Sequence, residues 1–364
     1  MSHVTPAPAV APEPQTAPGH VDLVIVGAGP TGLYAAYYAG FRGLSVAVVD
    51  SLPELGGQVT ALYPEKRIFD VAGFPVIKGR ELVAGLVEQA AAGSPTYLLG
   101  RTAVSIEPVL DASGETTGLE IGIGASESDD DAEETTLTCG AVLVTAGIGT
   151  FAPRPLPAAD AWHGGGIEFF VPDTAPYVDA DVVIVGGGDS AFDWALHLHE
   201  VARSITLVHR RDRFRAHQAT IDAVREAGVR IVAPAEVTAI RDADGGSGST
   251  GAPLASVELE IGGRAEEKQH ETLKAQQVVA ALGFVADLSA LQEWGLELDS
   301  RHVVVDTTMA TSLPRVYAAG DITEYPGKVR LISVGFGEAA TAVNNIAVAL
   351  DPETKLFPGH SSDA

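Results

Sequence analysis

Two stretches of this chain share one plan. VDLVIV, Val21 to Val26, runs into GAGPTG, Gly27 to Gly32; far downstream DVVIV, Asp181 to Val185, runs into GGGDSA, Gly186 to Ala191. Each is an apolar run of strand length, then glycines at the spacing of a dinucleotide-binding turn, then a helix-forming segment. Around the first loop the pattern predicts a strand over Val21 to Val26, a helix over Pro30 to Gly40 and a second strand over Ser45 to Val49 that ends at Asp50. Around the second it predicts a strand over Asp181 to Val185, a helix over Ser190 to Ala202 and a strand over Ser204 to His209. A repeated β-α-β unit of this kind restricts the fold to two nucleotide-binding halves.

Length agrees, since 364 residues exceed the usual size of one domain. Strand-rich segments follow each unit: RTAVSIE from Arg101, LEIGIG from Leu119 and the strand at Ala141, then IVAPAEVTAI from Ile231 and ASVELEI from Ala255. The expected class is therefore α/β, with two Rossmann-like three-layer nucleotide-binding domains, each carrying a β-hairpin or meander insert. DADGGSGSTG, Asp242 to Gly251, reads as a long hairpin turn. Hinges are expected in TAGIGTFAP, Thr145 to Pro153, and AALGF, Ala280 to Phe284. These divide the chain into a disordered Pro/Ala tail (1–19), a discontinuous first domain (20–150 and 283–364) and an inserted second domain (151–282).

Acidic residues outnumber basic ones 48 to 23, a formal net charge of −25, which argues against nucleic acid or an anionic membrane as partner. No apolar run approaches a membrane span. The acidic run ESDDDAEE, Glu127 to Glu134, reads as a solvated hairpin tip. The single thiol, Cys139 in LTCGAVLVT, reads as a small buried residue; with no intramolecular disulfide possible, a reducing cytoplasm is the expected compartment. His197 and His199 stand two apart on a helix and face different ways, so no metal site is expected. Trp162, Trp194 and Trp294 are expected to pack cores or domain surfaces.

The chemistry lies in the two loops. Gly27 permits the tight turn, Gly29 lets the backbone approach a pyrophosphate, and Gly32 lets the helix opened by Pro30 and Thr31 lie close to the strand. Asp50, at the end of the next strand, stands where a carboxylate accepts hydrogen bonds from an adenosine ribose. After the second loop that position is followed by HRRDRFRAH, His209 to His217, with Arg210, Arg211, Arg213 and Arg215. Guanidinium groups bind a 2'-phosphate that a carboxylate would repel. The first site thus suits FAD and the second NADPH, and together they suggest a hydride-transfer flavoprotein.

GAGPTG at Gly27, LGGQVTALYPEK at Leu55, DVAGFP at Asp70, GGGDSAFDWA at Gly186, HRRDRFRAH at His209, AAGDI at Ala318, GFGEAATAVNN at Gly335 and PGHSS ending at Ser362 together resemble the thioredoxin-reductase-like ferredoxin-NADP reductases of bacteria. The resemblance implies a homodimer with one FAD per subunit and electron transfer between NADPH and ferredoxin or flavodoxin. It places Gly27, Gly29, Gly32, Asp50 and Gln58 on FAD, Asp321 on the ribityl chain, and the Val104 backbone at the adenine. Tyr63 corresponds to the ring stacked on one isoalloxazine face. His360 corresponds to the group covering the other face from the partner subunit, with Ser361 and Ser362 beside it. Thr31 and Glu338 are further site members. For NADPH it implies Gly188, Asp189 and Ser190 at the pyrophosphate and Arg210, Arg211 and Arg215 at the 2'-phosphate. The Pro/Ala tail, the acidic run and the Gly/Ser stretch depart from the pattern without touching a motif.

Thioredoxin reductase proper needs a CxxC ahead of the second glycine loop, where this chain reads HGGGIEFFVP. A sensor that has lost turnover fits poorly with two intact sites. The alternative kept open is an NADPH diaphorase reducing quinones, free flavin or ferric chelates. Because ferredoxins are commonly acidic, Lys66, Arg67, Lys328 and Arg330 are expected to form a basic docking patch.

Overall fold

Each of the two glycine-loop strands lies inside its own sheet, paired in parallel with both of its neighbours. A computed structural model describes residues 15–125, 135–147, 150–171, 173–263, 267–287 and 289–359. Its chain divides into two compact units, Met1–Thr150 with Ala286–Ala364, and Phe151–Val285.

In the first unit β1 (His20–Val26) leads through α1 (Pro30–Phe41) to β2 (Val46–Asp50). Then come α2 (Gln58–Leu62), α3 (Gly79–Ala91), β3 (Thr96–Leu99) and the meander β4 (Arg101–Leu110), β5 (Thr116–Ala125) and β6 (Thr135–Val144). The sheet order is β3-β2-β1-β6-β5-β4. β1 pairs in parallel with β2 on one side and β6 on the other, so the first glycine loop leaves the sheet where the strand order reverses. Open α/β sheets hold ligands at that crevice. Leu23, Val24, Ile25, Val48 and Val142 are fully buried, as a parallel strand covered on both faces requires. Cys139 is buried in β6, and burial pushes its thiol up to about 12, which makes it an inert packing residue. Of the expected 1–19 tail, residues 1–14 lie outside the described residues; from Gln15 the chain is held, the Gln15 side-chain oxygen accepting the Tyr97 N–H at 3.0 Å.

The second unit repeats the plan. β7 (Ile167–Glu168) precedes β8 (Asp181–Val185), α4 (Asp189–His199), β9 (Ser204–Val208), α5 (Gln218–Glu226) and β10 (Arg230–Val232). β11 (Ala235–Arg241), β12 (Ser256–Ile261) and β13 (Gln269–Lys274) form an antiparallel meander, and β14 (Gln277–Ala280) returns to the parallel sheet, ordered β7-β14-β8-β9-β10. The helix expected to reach Ala202 ends at His199, and the Leu198 carbonyl accepts both the Val201 and Ala202 N–H groups in the turn that follows. The strand-rich segment from Ile231 forms two strands, parted at Pro234, which has no N–H to give the ladder. The Gly/Ser stretch joins β11 to β12, where the Asp242 carboxylate accepts the Asp244 and Gly246 N–H groups at 3.0 and 2.8 Å. All three tryptophans are buried. The acidic run 127–134 lies outside the described residues.

The chain then returns to the first unit, where β15 (Val316–Ala318) pairs in parallel with β6 and α6 (Ile332–Leu350) packs on α1. Phe336 of α6 lies 5.1 Å from the Tyr34 ring of α1, and Arg42 Nη1 donates to Asn344 Oδ1 at 2.8 Å. No described helix is long and apolar enough to cross a membrane.

Candidate functional site: two dinucleotide loops

The first loop is shaped by what glycine leaves out. Gly27 has φ 112°, a conformation L side chains rarely adopt, and a Cβ there would stand 2.7 Å from the Thr145 backbone. At Gly32 a Cβ would lie 1.9 Å from the Gly27 carbonyl oxygen, so the helix could not approach the strand so closely. Gly29 is the opposite case: a Cβ would meet nothing within 4 Å. This open face lies at the N-terminus of α1, where no side chain caps the helix and no acidic residue occupies the first turn. Uncapped N–H groups at a helix start bind anions. Asp50 closes the turn, its Oδ2 accepting the Ala28 N–H at 2.6 Å and its Oδ1 the Leu52 N–H at 2.8 Å. Burial raises its carboxyl above the ordinary range, against the pull of those two donors.

A second wall comes from residues 55–58. The Gly56 N–H bonds the Ala28 carbonyl at 2.9 Å, and Gly57 packs so tightly on Gly29 that a Cβ would come within 2.9 Å of the Gly29 Cα. Gln58 begins α2, with its Nε2 beside Gly147, just beyond the β6 strand end. Tyr63 follows α2, partly buried against the core. Burial first, then the nearby charges of Asp321 and Asp70, push its phenol up to about 12. Val104 sits at a bulge where the β4–β5 register shifts between Ala103 and Ser105, which takes its backbone out of the regular ladder. Its carbonyl accepts the Trp294 Nε1–H at 3.3 Å.

The third wall is the turn after β15. Gly320 packs against Thr31, as does Gly335 of α6; Cβ atoms at these glycines would come within 2.9 and 2.5 Å of Thr31 Oγ1. The Gly320 N–H donates to Glu338 Oε2 at 2.7 Å, while Glu338 Oε1 accepts from Lys328 Nζ at 2.5 Å and from the Tyr325 hydroxyl at 2.6 Å. Asp321 follows directly. Its side chain reaches solvent, yet crowding by protein raises its carboxyl above the ordinary value, against the opposing pull of Lys328 and Arg330.

This geometry corrects the expected docking patch. The Lys328 side chain is 1% exposed and neutralised by Glu338, and Arg330 is paired with Glu324 at 2.6 Å. A buried lysine here is held by a carboxylate that sequence reading placed in the site without a partner. Lys66 lies 5.7 Å from the Tyr63 ring centroid.

The second loop keeps the pattern with altered detail. A Cβ at Gly186 would lie 2.4 Å from the Ala281 carbonyl oxygen, matching Gly27 against Thr145, while Gly188 opens on space as Gly29 does. Ala191 stands where the first loop has Gly32. The His209 ring covers Gly187, and burial with the charges of Arg210, Arg211 and Arg215 pushes its imidazole below the ordinary value. The arginine run folds back over the loop: the Arg215 N–H bonds Gly187 O at 2.8 Å and the His217 N–H bonds Asp189 Oδ1 at 2.9 Å. Arg210, Arg211, Arg213 and Arg215 are all exposed, and among the described residues their side chains make no hydrogen bond or ion pair. Ser190 is exposed in the first turn of α4.

The structure thus places Gly27, Gly29, Pro30, Thr31, Gly32, Asp50, Gln58, Tyr63 and Asp321 in the loops about the end of β1, and Gly188, Asp189, Ser190, Arg210, Arg211 and Arg215 in those about the end of β8. His360, Ser361 and Ser362 lie outside the described residues. Sequence reading missed Thr145, whose hydroxyl donates to the Gly27 carbonyl at 2.8 Å, and Tyr325, and it put Lys328 on the docking surface instead of beside Glu338. The end of the AVLVT run was a usable signal for Thr145; no local pattern marks the other two.

Residues 21–345 match the pyridine nucleotide-disulphide oxidoreductase family. A ferredoxin–NADP reductase of Nocardioides sp. is 62% identical over 343 residues, covering 94% of this chain and 97% of that protein. Ferredoxin–NADP reductase 2 of Shouchella clausii is 42% identical over 343 residues, covering 94% and 97%. The crystal structure of T. acidophilum thioredoxin reductase aligns with a TM-score of 0.72 at 25% identity, covering 93% of this chain and all (100%) of that one. With no CxxC in its sequence and this degree of identity across nearly its whole length, the chain belongs to the ferredoxin–NADP reductases of thioredoxin-reductase type, within the pyridine nucleotide-disulphide oxidoreductase family.

Proposed function

We propose that this protein is an FAD-dependent ferredoxin–NADP(+) oxidoreductase, holding FAD in the first unit and NADPH in the second and exchanging single electrons with ferredoxin or flavodoxin. One observation carries the reading: two loops of similar design, each open to space at its third residue, Gly29 and Gly188, end in opposite chemistry, a carboxylate at Asp50 and exposed guanidinium groups at Arg210 to Arg215. The bound cofactors supply hydride transfer and stepwise electron release, so the side chains need provide no nucleophile.

What the chain provides is position and charge. The backbone from Gly27 to Gly32 and the start of α1 hold the FAD pyrophosphate, Asp50 the adenosine ribose, the Val104 backbone the adenine, Gln58 the flavin side and Asp321 the ribityl hydroxyls. Tyr63 offers a neutral phenol ring as a stacking face, which suits a flat π-system. Gly188, Asp189 and Ser190 meet the NADPH pyrophosphate, and Arg210, Arg211 and Arg215 the 2'-phosphate. In this reading the enzyme is a cytoplasmic homodimer whose partner subunit contributes His360, Ser361 and Ser362 to the second flavin face; the single buried thiol suits a reducing compartment.

The test is steady-state NADPH oxidation by the purified protein, with cytochrome c as readout, with and without ferredoxin. Strong, saturable acceleration by ferredoxin supports the reading. Equal turnover with quinone or free flavin and no response to ferredoxin assigns the diaphorase activity instead.

A further inference from the structure

Gly320 is held at both ends by an oppositely charged buried pair. Its N–H donates to Glu338 Oε2 at 2.7 Å, and its carbonyl accepts from Lys328 Nζ at 2.9 Å. The two side chains close on each other at 2.5 Å, with exposures of 1% for Lys328 and 5% for Glu338. The Thr323 hydroxyl adds a second bond to the Gly320 carbonyl at 2.8 Å, and the Tyr325 hydroxyl, pushed up to about 12 by burial and by this carboxylate, remains a donor to Glu338. Every oxygen of Glu338 is thereby engaged. A buried charged pair has a large desolvation cost and is weak evidence of simple stabilisation, but it holds geometry firmly when all its hydrogen bonds are made.

The clamped residue lies between two parts of the first site. On one side it packs on Thr31, in the first turn of α1; on the other it is bonded directly to Asp321. Gly320 is in the left-handed region at φ 85°, so its orientation, and with it the direction of the Asp321 carboxylate, depends on what holds its two polar groups. We infer that Lys328 and Glu338 are positioning residues for the flavin cofactor: together they fix the Gly320 peptide, which sets Asp321 and Thr31 in register with each other and balances charge beneath the ribityl-binding carboxylate. This rests on the FAD reading of the first site.

The experiment uses the full-length chain with Lys328→Met and Glu338→Gln, measuring FAD dissociation by flavin fluorescence on dilution, the flavin midpoint potential, and NADP+ binding as a control on the second unit. Lys328→Met removes one charged donor to Gly320 and is expected to weaken FAD retention by about 10- to 100-fold while leaving NADP+ affinity unchanged. Glu338→Gln keeps the shape and an acceptor for the Gly320 N–H but leaves the ammonium without its counter-charge; it is expected to lose less FAD and to shift the flavin potential upward. If both variants retain FAD as the parent does at an unchanged potential, the inference is overturned. Should Lys328→Met fail to fold, shown by loss of NADP+ binding, the potential of Glu338→Gln decides alone. A parent protein that retains no FAD would overturn the cofactor reading itself, a result separate from either variant's.

Discussion

Asp189 accepts the His217 backbone N–H at 2.9 Å, so a carboxylate in the second glycine loop fixes the far end of the arginine run. Replacing it with alanine frees that run and is expected to raise the KM for NADPH about 3- to 10-fold with little change in kcat, the effect of one lost charge-assisted bond. Asp189→Asn keeps an acceptor and removes a negative charge near the pyrophosphate position, so its KM should stay at or below the parent's. Steady-state kinetics of the two variants separate these roles.

The side chains of the exposed arginines make no hydrogen bond or ion pair among the described residues, so their removal should leave the fold intact. Arg211→Ala is expected to raise the KM for NADPH about tenfold or more and to leave that for NADH within about twofold. An unchanged melting temperature would show that the loss lies in recognition. Equal effects on both nucleotides would show that Arg211 does not read the 2'-phosphate.

Gly32 and Ala191 occupy matching positions but differ in room. A Cβ at Gly32 would collide with the Gly27 carbonyl oxygen, at 1.9 Å, and with Thr145 Oγ1, at 2.7 Å. Gly32→Ala is therefore expected to cost about 1–3 kcal/mol as overpacking and to yield protein depleted in flavin, measured by the visible absorbance per chain. Ala191→Gly should retain its flavin.

The Tyr63 phenol, pushed up to about 12 by burial and then by Asp321 and Asp70, stays protonated through the ordinary tyrosine range. Its folded value lies above the unfolded one, so its contribution to stability is present below about pH 10 and lost as pH rises through about 12. Denaturation against pH should show a shallower alkaline decline for Tyr63→Phe than for the parent. Tyr63→Phe should also retain stacking, whereas Tyr63→Ala should lower kcat.

The parts of the site legible in the sequence are those written within one local unit. Gly27, Gly29, Gly32 and Asp50 lie along a single strand-loop-helix-strand passage, and Arg210 to Arg215 directly follow the strand that pairs with β8. Lys328 was misread because its neighbours, Pro326, Gly327 and Arg330, have the composition of a solvated turn. Its burial is decided by Glu338, which stands on α6 in the sequence pattern of an ordinary helix interior. Val104 is another such case, since its exit from the ladder depends on a register shift between β4 and β5 that neither strand's alternation announces.

The first unit is assembled from both ends of the chain, with Thr31 packed against Gly320 and Gly335. During synthesis, therefore, the nucleotide loop made first stays unfinished until α6 has left the ribosome, while the inserted unit, continuous from Phe151 to Val285, already has all its own strands. The order of completion is the reverse of the order of translation, and a chain cut short before Ile332 would carry a finished second half and an open first one.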